Sequence, residues 1–289
     1  MKNELFTGVC TALVTPFLGG RVNYPMLQQL LRRQREAGVK AVVLCGTTGE
    51  APTLSDEEKL EIFTRSKASE GDRMLIIAGT GSNDTAHAVA LGRAAQACGA
   101  DALLVVSPYY NKATPAGLYA HYKAVAESVS LPVIIYNVPS RTGVDIPVSV
   151  YKELSQIPNI TGVKEASTDI RKIGHILSQC PPSFRVWSGN DEMTLPVMAL
   201  GGIGVISVAS NVVPESMVAL TSSLLQRDLD SASAIQRRLL GLMDALSSEV
   251  NPIPVKTAMR LLGFDCGRCR LPLTELSPEN EDKLKAMLA

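Results

Sequence analysis

Val39-Lys40-Ala41-Val42-Val43-Leu44-Cys45-Gly46-Thr47-Thr48-Gly49-Glu50 is a nearly unbroken apolar run that ends in a glycine-threonine turn. A short run of this kind, without polar alternation, suits a strand buried on both faces of a parallel sheet. Upstream, Asn23 and Pro25 carry helix-start chemistry, and Gly38 stops that helix. Downstream, Ser55-Asp56-Glu57-Glu58 is a capping box for a second helix, which Gly71 closes. Helix, apolar strand, small-residue turn and helix together make one βα unit.

The unit repeats along the chain. Apolar strands are expected at 6–14, 39–45, 74–78, 102–106, 132–136, 160–164, 184–187 and 203–208. Between them, helices are expected at 83–98, from Thr114-Pro115, at 147–154, 169–177 and 192–200, and from Pro214. The spacing of about 30 residues is that of a βα crossover. Eight such units fit a (β/α)₈ TIM barrel better than an open doubly wound sheet, and no G-x-G-x-x-G follows the first strand. Beyond residue 226 the strand pattern stops, and helices are expected at 228–248, 255–262 and 278–288. The fold class is therefore α/β, a barrel over 1–226 with a C-terminal three-helix extension over 227–289.

Composition excludes several classes of function. With 46% apolar and 19% charged residues over 289 positions, the chain can build a large core. A net charge of zero gives no electrostatic footprint for nucleic acid or an anionic membrane. Residues Met1-Lys2-Asn3-Glu4-Leu5 open no signal-peptide h-region, and no apolar run reaches the ~18 residues a membrane helix needs. A cytoplasmic protein is expected. Cys10, Cys45, Cys98, Cys180, Cys266 and Cys269 are scattered, and Cys266-Gly267-Arg268-Cys269 has neither a second ligand pair nor a thioredoxin-like context.

Barrel enzymes work at the C-terminal ends of their strands. Those ends supply Gly46-Thr47-Thr48-Gly49-Glu50, Gly79-Thr80-Gly81, Ser107-Pro108-Tyr109-Tyr110-Asn111 and Tyr136-Asn137-Val138-Pro139-Ser140-Arg141. Lys164, Ser188-Gly189-Asn190-Asp191 and Ser207-Val208-Ala209-Ser210-Asn211 complete the set. His87, His121 and His175 fall on helices, so no metal-ligand spacing appears and no cofactor is implied. No G-x-S-x-G elbow is present.

The apolar strand Ile160-Thr161-Gly162-Val163 ends in Lys164. Such a lysine can simply snorkel to solvent. Desolvation instead favours the neutral amine, a nucleophile whose usual target is a carbonyl carbon. Gly46-Thr47-Thr48-Gly49 is either an ordinary turn or an anion-binding nest. Tyr136 either packs or moves protons, and Arg141 either lies on a solvated loop or binds a carboxylate bidentately. Four strand ends with complementary parts suit Schiff-base chemistry on a 2-oxo acid.

Gly46-Thr47-Thr48-Gly49-Glu50, Tyr136-Asn137-Val138-Pro139-Ser140-Arg141-Thr142-Gly143, Gly162-Val163-Lys164-Glu165 and Ser188-Gly189-Asn190-Asp191 resemble the signatures of the 4-hydroxy-tetrahydrodipicolinate (dihydrodipicolinate) synthases. These belong to the pyruvate-dependent class I aldolases, and the likeness extends through Asn251-Pro252-Ile253-Pro254-Val255-Lys256. The resemblance implies a lyase of diaminopimelate and lysine biosynthesis that condenses pyruvate with L-aspartate 4-semialdehyde. It implies an imine on Lys164, and a proton relay of Tyr136, Thr47 and Tyr110, the last lent by a neighbouring subunit of a homotetramer built as a dimer of dimers. Tyr136, Thr47 and Thr48 would meet the pyruvate carboxylate, Arg141 the semialdehyde carboxylate, and Gly189 and Ile206 would line the pyruvate pocket.

Lys59 and His87 stand where lysine-inhibited members usually have a histidine and a glutamate, while Asn83 and Tyr109 match. That change should repel a cationic inhibitor. Two other readings stay open at this point: a sugar-acid aldolase such as N-acetylneuraminate lyase, with less need of Arg141, and a non-catalytic barrel that senses a 2-oxo acid.

Overall fold

The computed structural model describes residues 5–71 and 73–288; the reading of residues 1–4 lies outside them. Eight parallel strands close into a barrel: β1 (Gly8–Ala12), β2 (Ala41–Leu44), β3 (Leu75–Gly79), β4 (Ala102–Val106), β5 (Val133–Asn137), β6 (Ile160–Glu165), β7 (Arg185–Ser188) and β8 (Gly204–Ser207). Each strand pairs with its successor, and β8 pairs back onto β1. Closure explains the continuous apolar runs, because one face of each strand points into the barrel and the other into the ring of helices.

The two faces fill separate cores. Inside the barrel, Cys10, Val43, Ile77, Leu104, Ile134, Tyr136, Trp187 and Ile206 pack together, and Phe6 stacks on Trp187 at 4.9 Å between ring centroids. Outside it, Leu30, Ile62, Leu103, Val163, Ile176 and Leu220 belong to the larger helix-facing core. Each such side chain, fully buried, contributes about 1.5–3 kcal/mol. Close strand approach demands small residues at two points. A Cβ on Gly162 would lie 2.0 Å from the Arg185 carbonyl oxygen, and one on Gly79 would lie 2.3 Å from that of Cys45. Pairing of β5 with β6 also slips by one residue at Thr161, between Val133↔Ile160 and Ile134↔Gly162.

The expected caps form. Asn23 accepts the Met26 N–H, Ser55 and Glu58 exchange both capping-box bonds, and Thr114 accepts the Gly117 N–H. After the last barrel helix, Pro214–Leu225, come Leu229–Leu246, Ile253–Leu261 and Pro278–Leu288. Three features depart from expectation. The first strand is shorter than 6–14, and a two-stranded ribbon, Phe17–Leu18 with Arg21–Val22, follows it. Gly19 and Gly20, both at positive φ, make its turn. The stretch Pro139–Thr142 is a single helical turn rather than a loop. No described helix is long and apolar enough to cross a membrane.

Candidate active site

Lys164 lies near the C-terminal end of β6 at 4% exposure, so it does not snorkel. In the β5–β6 register it pairs directly with Tyr136, and its Nζ sits 4.2 Å from the centre of the tyrosine ring. Among the described residues no carboxylate comes within ion-pair distance of it. A buried amine against a phenol, free of any salt bridge, is an arrangement able to supply a nucleophile beside a proton carrier.

Two adjoining cavities open at this mouth and share Tyr136, Val138 and Arg141. The smaller, about 200 Å³, contains Lys164, Thr48, Gly189, Asp191 and Asn251 in its wall. The larger, about 510 Å³, takes Thr47, Asp56, Lys59, His87 and Tyr109. Neighbouring threonines thus face different cavities. Arg141 is exposed, and its guanidinium donates to the Asn251 carbonyl oxygen at 3.3 Å. Ile206 is fully buried in the barrel interior with Tyr136, outside the wall of either cavity. Tyr110 is 89% exposed at φ 73° and does not meet Lys164 within one chain.

The turn after β2 is held by the far end of the chain. Thr15 Oγ1 donates to the Gly49 carbonyl at 2.7 Å, and Asn251 Nδ2 donates to Thr48 Oγ1 at 3.0 Å. Glu50, buried with φ 57°, receives Lys256 Nζ at 2.9 Å and the Arg270 N–H at 2.8 Å. Lys256 and Arg270 both lie against the Phe17 ring. Composition and spacing carry no sign of these contacts. The one local hint is Lys256 itself, an unaccompanied lysine in the apolar segment Ile253-Pro254-Val255.

Behind the strand, Glu165 is buried and fully bonded. It accepts from Asn137 Nδ2 at 2.7 Å, Tyr151 Oη at 3.0 Å and the Ser167 N–H at 2.9 Å. Burial, with the Glu165 charge adding to it, pushes the Tyr151 phenol well up, so Tyr151 stays a donor. Across the mouth, Asp191 Oδ2 accepts the N–H groups of Val208 and Ala209, and burial raises its pKa.

In the larger cavity Asp56 bridges His87 Nε2 at 2.7 Å and Lys59 Nζ at 3.0 Å. The His87 hydrogen bond, with Lys59, holds the Asp56 carboxyl below its usual range. Burial pushes the thiols of Cys266 and Cys269 up to about 12, so neither is a thiolate at neutral pH. Among the described residues no group of His, Cys, Asp or Glu is arranged to hold a metal.

Residues 5–289 match the model of the dihydrodipicolinate synthetase family. The chain is 47% identical over 288 residues to the 4-hydroxy-tetrahydrodipicolinate synthase of Acetivibrio thermocellus, covering 100% of this chain and 98% of that one. Among solved structures it resembles dihydrodipicolinate synthase from Aquifex aeolicus, with a TM-score of 0.96 at 46% identity over 98% of this chain and 97% of that one. The synthase from Cyanidioschyzon merolae, solved with lysine bound, superposes with a TM-score of 0.96 at 37% identity over 99% of this chain and 98% of that one.

Proposed function

This chain belongs to the dihydrodipicolinate synthetase family and has the activity of a 4-hydroxy-tetrahydrodipicolinate synthase, and on that premise we propose that Lys164 is the amine that forms the imine with pyruvate. The observation that carries the proposal is the buried Lys164 Nζ against Tyr136 at the mouth of a closed barrel.

Lys164 adds to carbon 2 of pyruvate and expels its oxygen as water, with Tyr136 moving the protons. Loss of a proton from carbon 3 gives the enamine, which attacks the aldehyde carbon of L-aspartate 4-semialdehyde. The aldehyde oxygen takes a proton and becomes the 4-hydroxyl. The amine of the semialdehyde then displaces Lys164 from carbon 2, closing the ring and freeing the enzyme. Thr48 holds the pyruvate carboxylate, and Arg141 the carboxylate of the semialdehyde through a bidentate pair. Gly189 lines the pyruvate cavity with its backbone, where a Cβ would lie 2.6 Å from that of Ala166, and Ile206 packs with Tyr136 in the barrel interior. Thr47 passes protons between Tyr136 and the Tyr110 of a neighbouring subunit in a cytoplasmic homotetramer, a dimer of dimers. Two adjacent exposed tyrosines, Tyr109 at 38% and Tyr110 at 89%, support that assembly as aromatic surface a partner can cover.

Borohydride reduction with pyruvate, followed by peptide mapping, should place the reduced adduct on Lys164, in protein that sediments as a tetramer. No adduct, an adduct elsewhere, or a fully active monomer would overturn the respective part.

The Lys59–Asp56–His87 cluster bears on regulation. Asp56 is already shared by two basic groups, so a lysine side chain entering the larger cavity meets a cation where it would need a free anion. Lysine should therefore inhibit weakly or not at all, and half-inhibition at low millimolar lysine in a steady-state assay would sink the idea.

A further inference from the structure

We propose that Asn251, at the turn into the helix Ile253–Leu261, is a positioning residue that aims the Thr48 hydroxyl at the pyruvate carboxylate. The proposal rests on the reading of Lys164 and pyruvate given above.

The amide nitrogen of Asn251 can only donate, and it donates to Thr48 Oγ1 at 3.0 Å. A threonine hydroxyl has one proton. With an oxygen lone pair taken by Asn251, that proton is left for some other acceptor. No described residue accepts it, and Thr48 is 2% exposed in the wall of the cavity that contains Lys164. The acceptor that completes the geometry is an anionic oxygen in that cavity, for which a polarised hydroxyl is a good donor.

A purely structural asparagine would look different. Asn251 Oδ1 is buried without a hydrogen-bond partner, a cost that an apolar side chain would avoid. Nor is the Asn251–Thr48 bond needed to hold the C-terminal helices to the barrel. The Lys256–Glu50 pair and the contacts of Arg270 with Glu50 and Glu58 already do so. The Arg141 contact goes to the backbone carbonyl of Asn251, so a change of the Asn251 side chain leaves it in place. The two substrates therefore depend on different atoms of one residue.

Steady-state kinetics of Asn251→Ala, Asn251→Asp, Thr48→Val and the double variant Asn251→Ala/Thr48→Val test this. Asn251→Asp, an acceptor that turns the Thr48 proton toward itself, should raise the KM for pyruvate about tenfold or more, as expected for one charge-assisted hydrogen bond. Asn251→Ala should raise it less, with the KM for the semialdehyde unchanged, kcat within about threefold and the melting temperature held; these are the sizes expected when only uniform binding is lost. In the Thr48→Val background Asn251→Ala should add nothing. The proposal is overturned if Asn251→Ala multiplies the pyruvate KM equally in both backgrounds. It is also overturned if kcat and melting temperature fall with that KM unchanged, or if neither Asn251 variant folds. Borohydride trapping separates the two layers: an adduct on Lys164 without the KM pattern rejects Asn251 alone, whereas no adduct in the parent protein rejects the underlying reading.

Discussion

Replacing Lys164 with methionine lowers kcat by at least about 10⁴-fold, the scale seen when a covalent nucleophile is lost. Methionine fills much the same space but cannot form an imine, and no second lysine lines either cavity close enough to Tyr136 to substitute. Lys59 is the lysine of the larger cavity, and it is bonded to Asp56. The same exchange should leave the melting temperature unchanged or raise it. Lys164 is 96% buried, since its exposure is 4%, and it has no carboxylate partner among the described residues, so a thioether in its place relieves desolvation. Turnover above about 1% of the parent would be far more than an enzyme without its nucleophile can retain. It would show that another group forms the intermediate.

Lys256→Met should destabilise the fold by about 3–5 kcal/mol, the cost of leaving one member of a buried ion pair without its partner. Lys256 and Glu50 side chains are 3% and 0% exposed, and their contact is 2.9 Å. For a chain of 289 residues the melting temperature should fall by roughly 5–8 °C. The double variant Glu50→Gln/Lys256→Met should recover most of the loss, because no uncompensated charge remains. Thermal unfolding by calorimetry reads both effects. A loss under about 1 kcal/mol in the single variant would place this pair in the class of exposed, nearly neutral salt bridges.

The barrel was legible because parallel strands buried on both faces must be apolar throughout, and several helices carried a cap or stop signal, as at Asn23, Ser55 and Thr114. The placement of Lys164 and Tyr136 at the barrel mouth followed from strand ends alone, since the fold fixes where strands deliver their last residues, whereas their roles came from the resemblance. Direction within a turn was not legible. Whether Thr47 or Thr48 faces Lys164 depends on backbone angles around Cys45 and Glu50, both non-glycine residues at positive φ. The ribbon at Phe17–Leu18 escaped because two residues a side carry no measurable alternation. Contacts of Asn251, Lys256 and Arg270 with the turn after β2 escaped for a different reason. Their partners are 203, 206 and 220 residues away, and nothing local records such a pairing.

Those separations impose an order on synthesis. A nascent chain that has delivered all eight strands already contains Lys164, Tyr136 and Arg141, yet Glu50 still lacks both of its partners and Thr48 lacks its donor. At about 5–20 residues per second, the stretch from the last strand to Arg270 takes roughly 3–13 s to translate. During that interval the barrel contains Lys164 before Asn251, Lys256 and Arg270 have secured the turn after β2. The segment made last completes one of the first turns made.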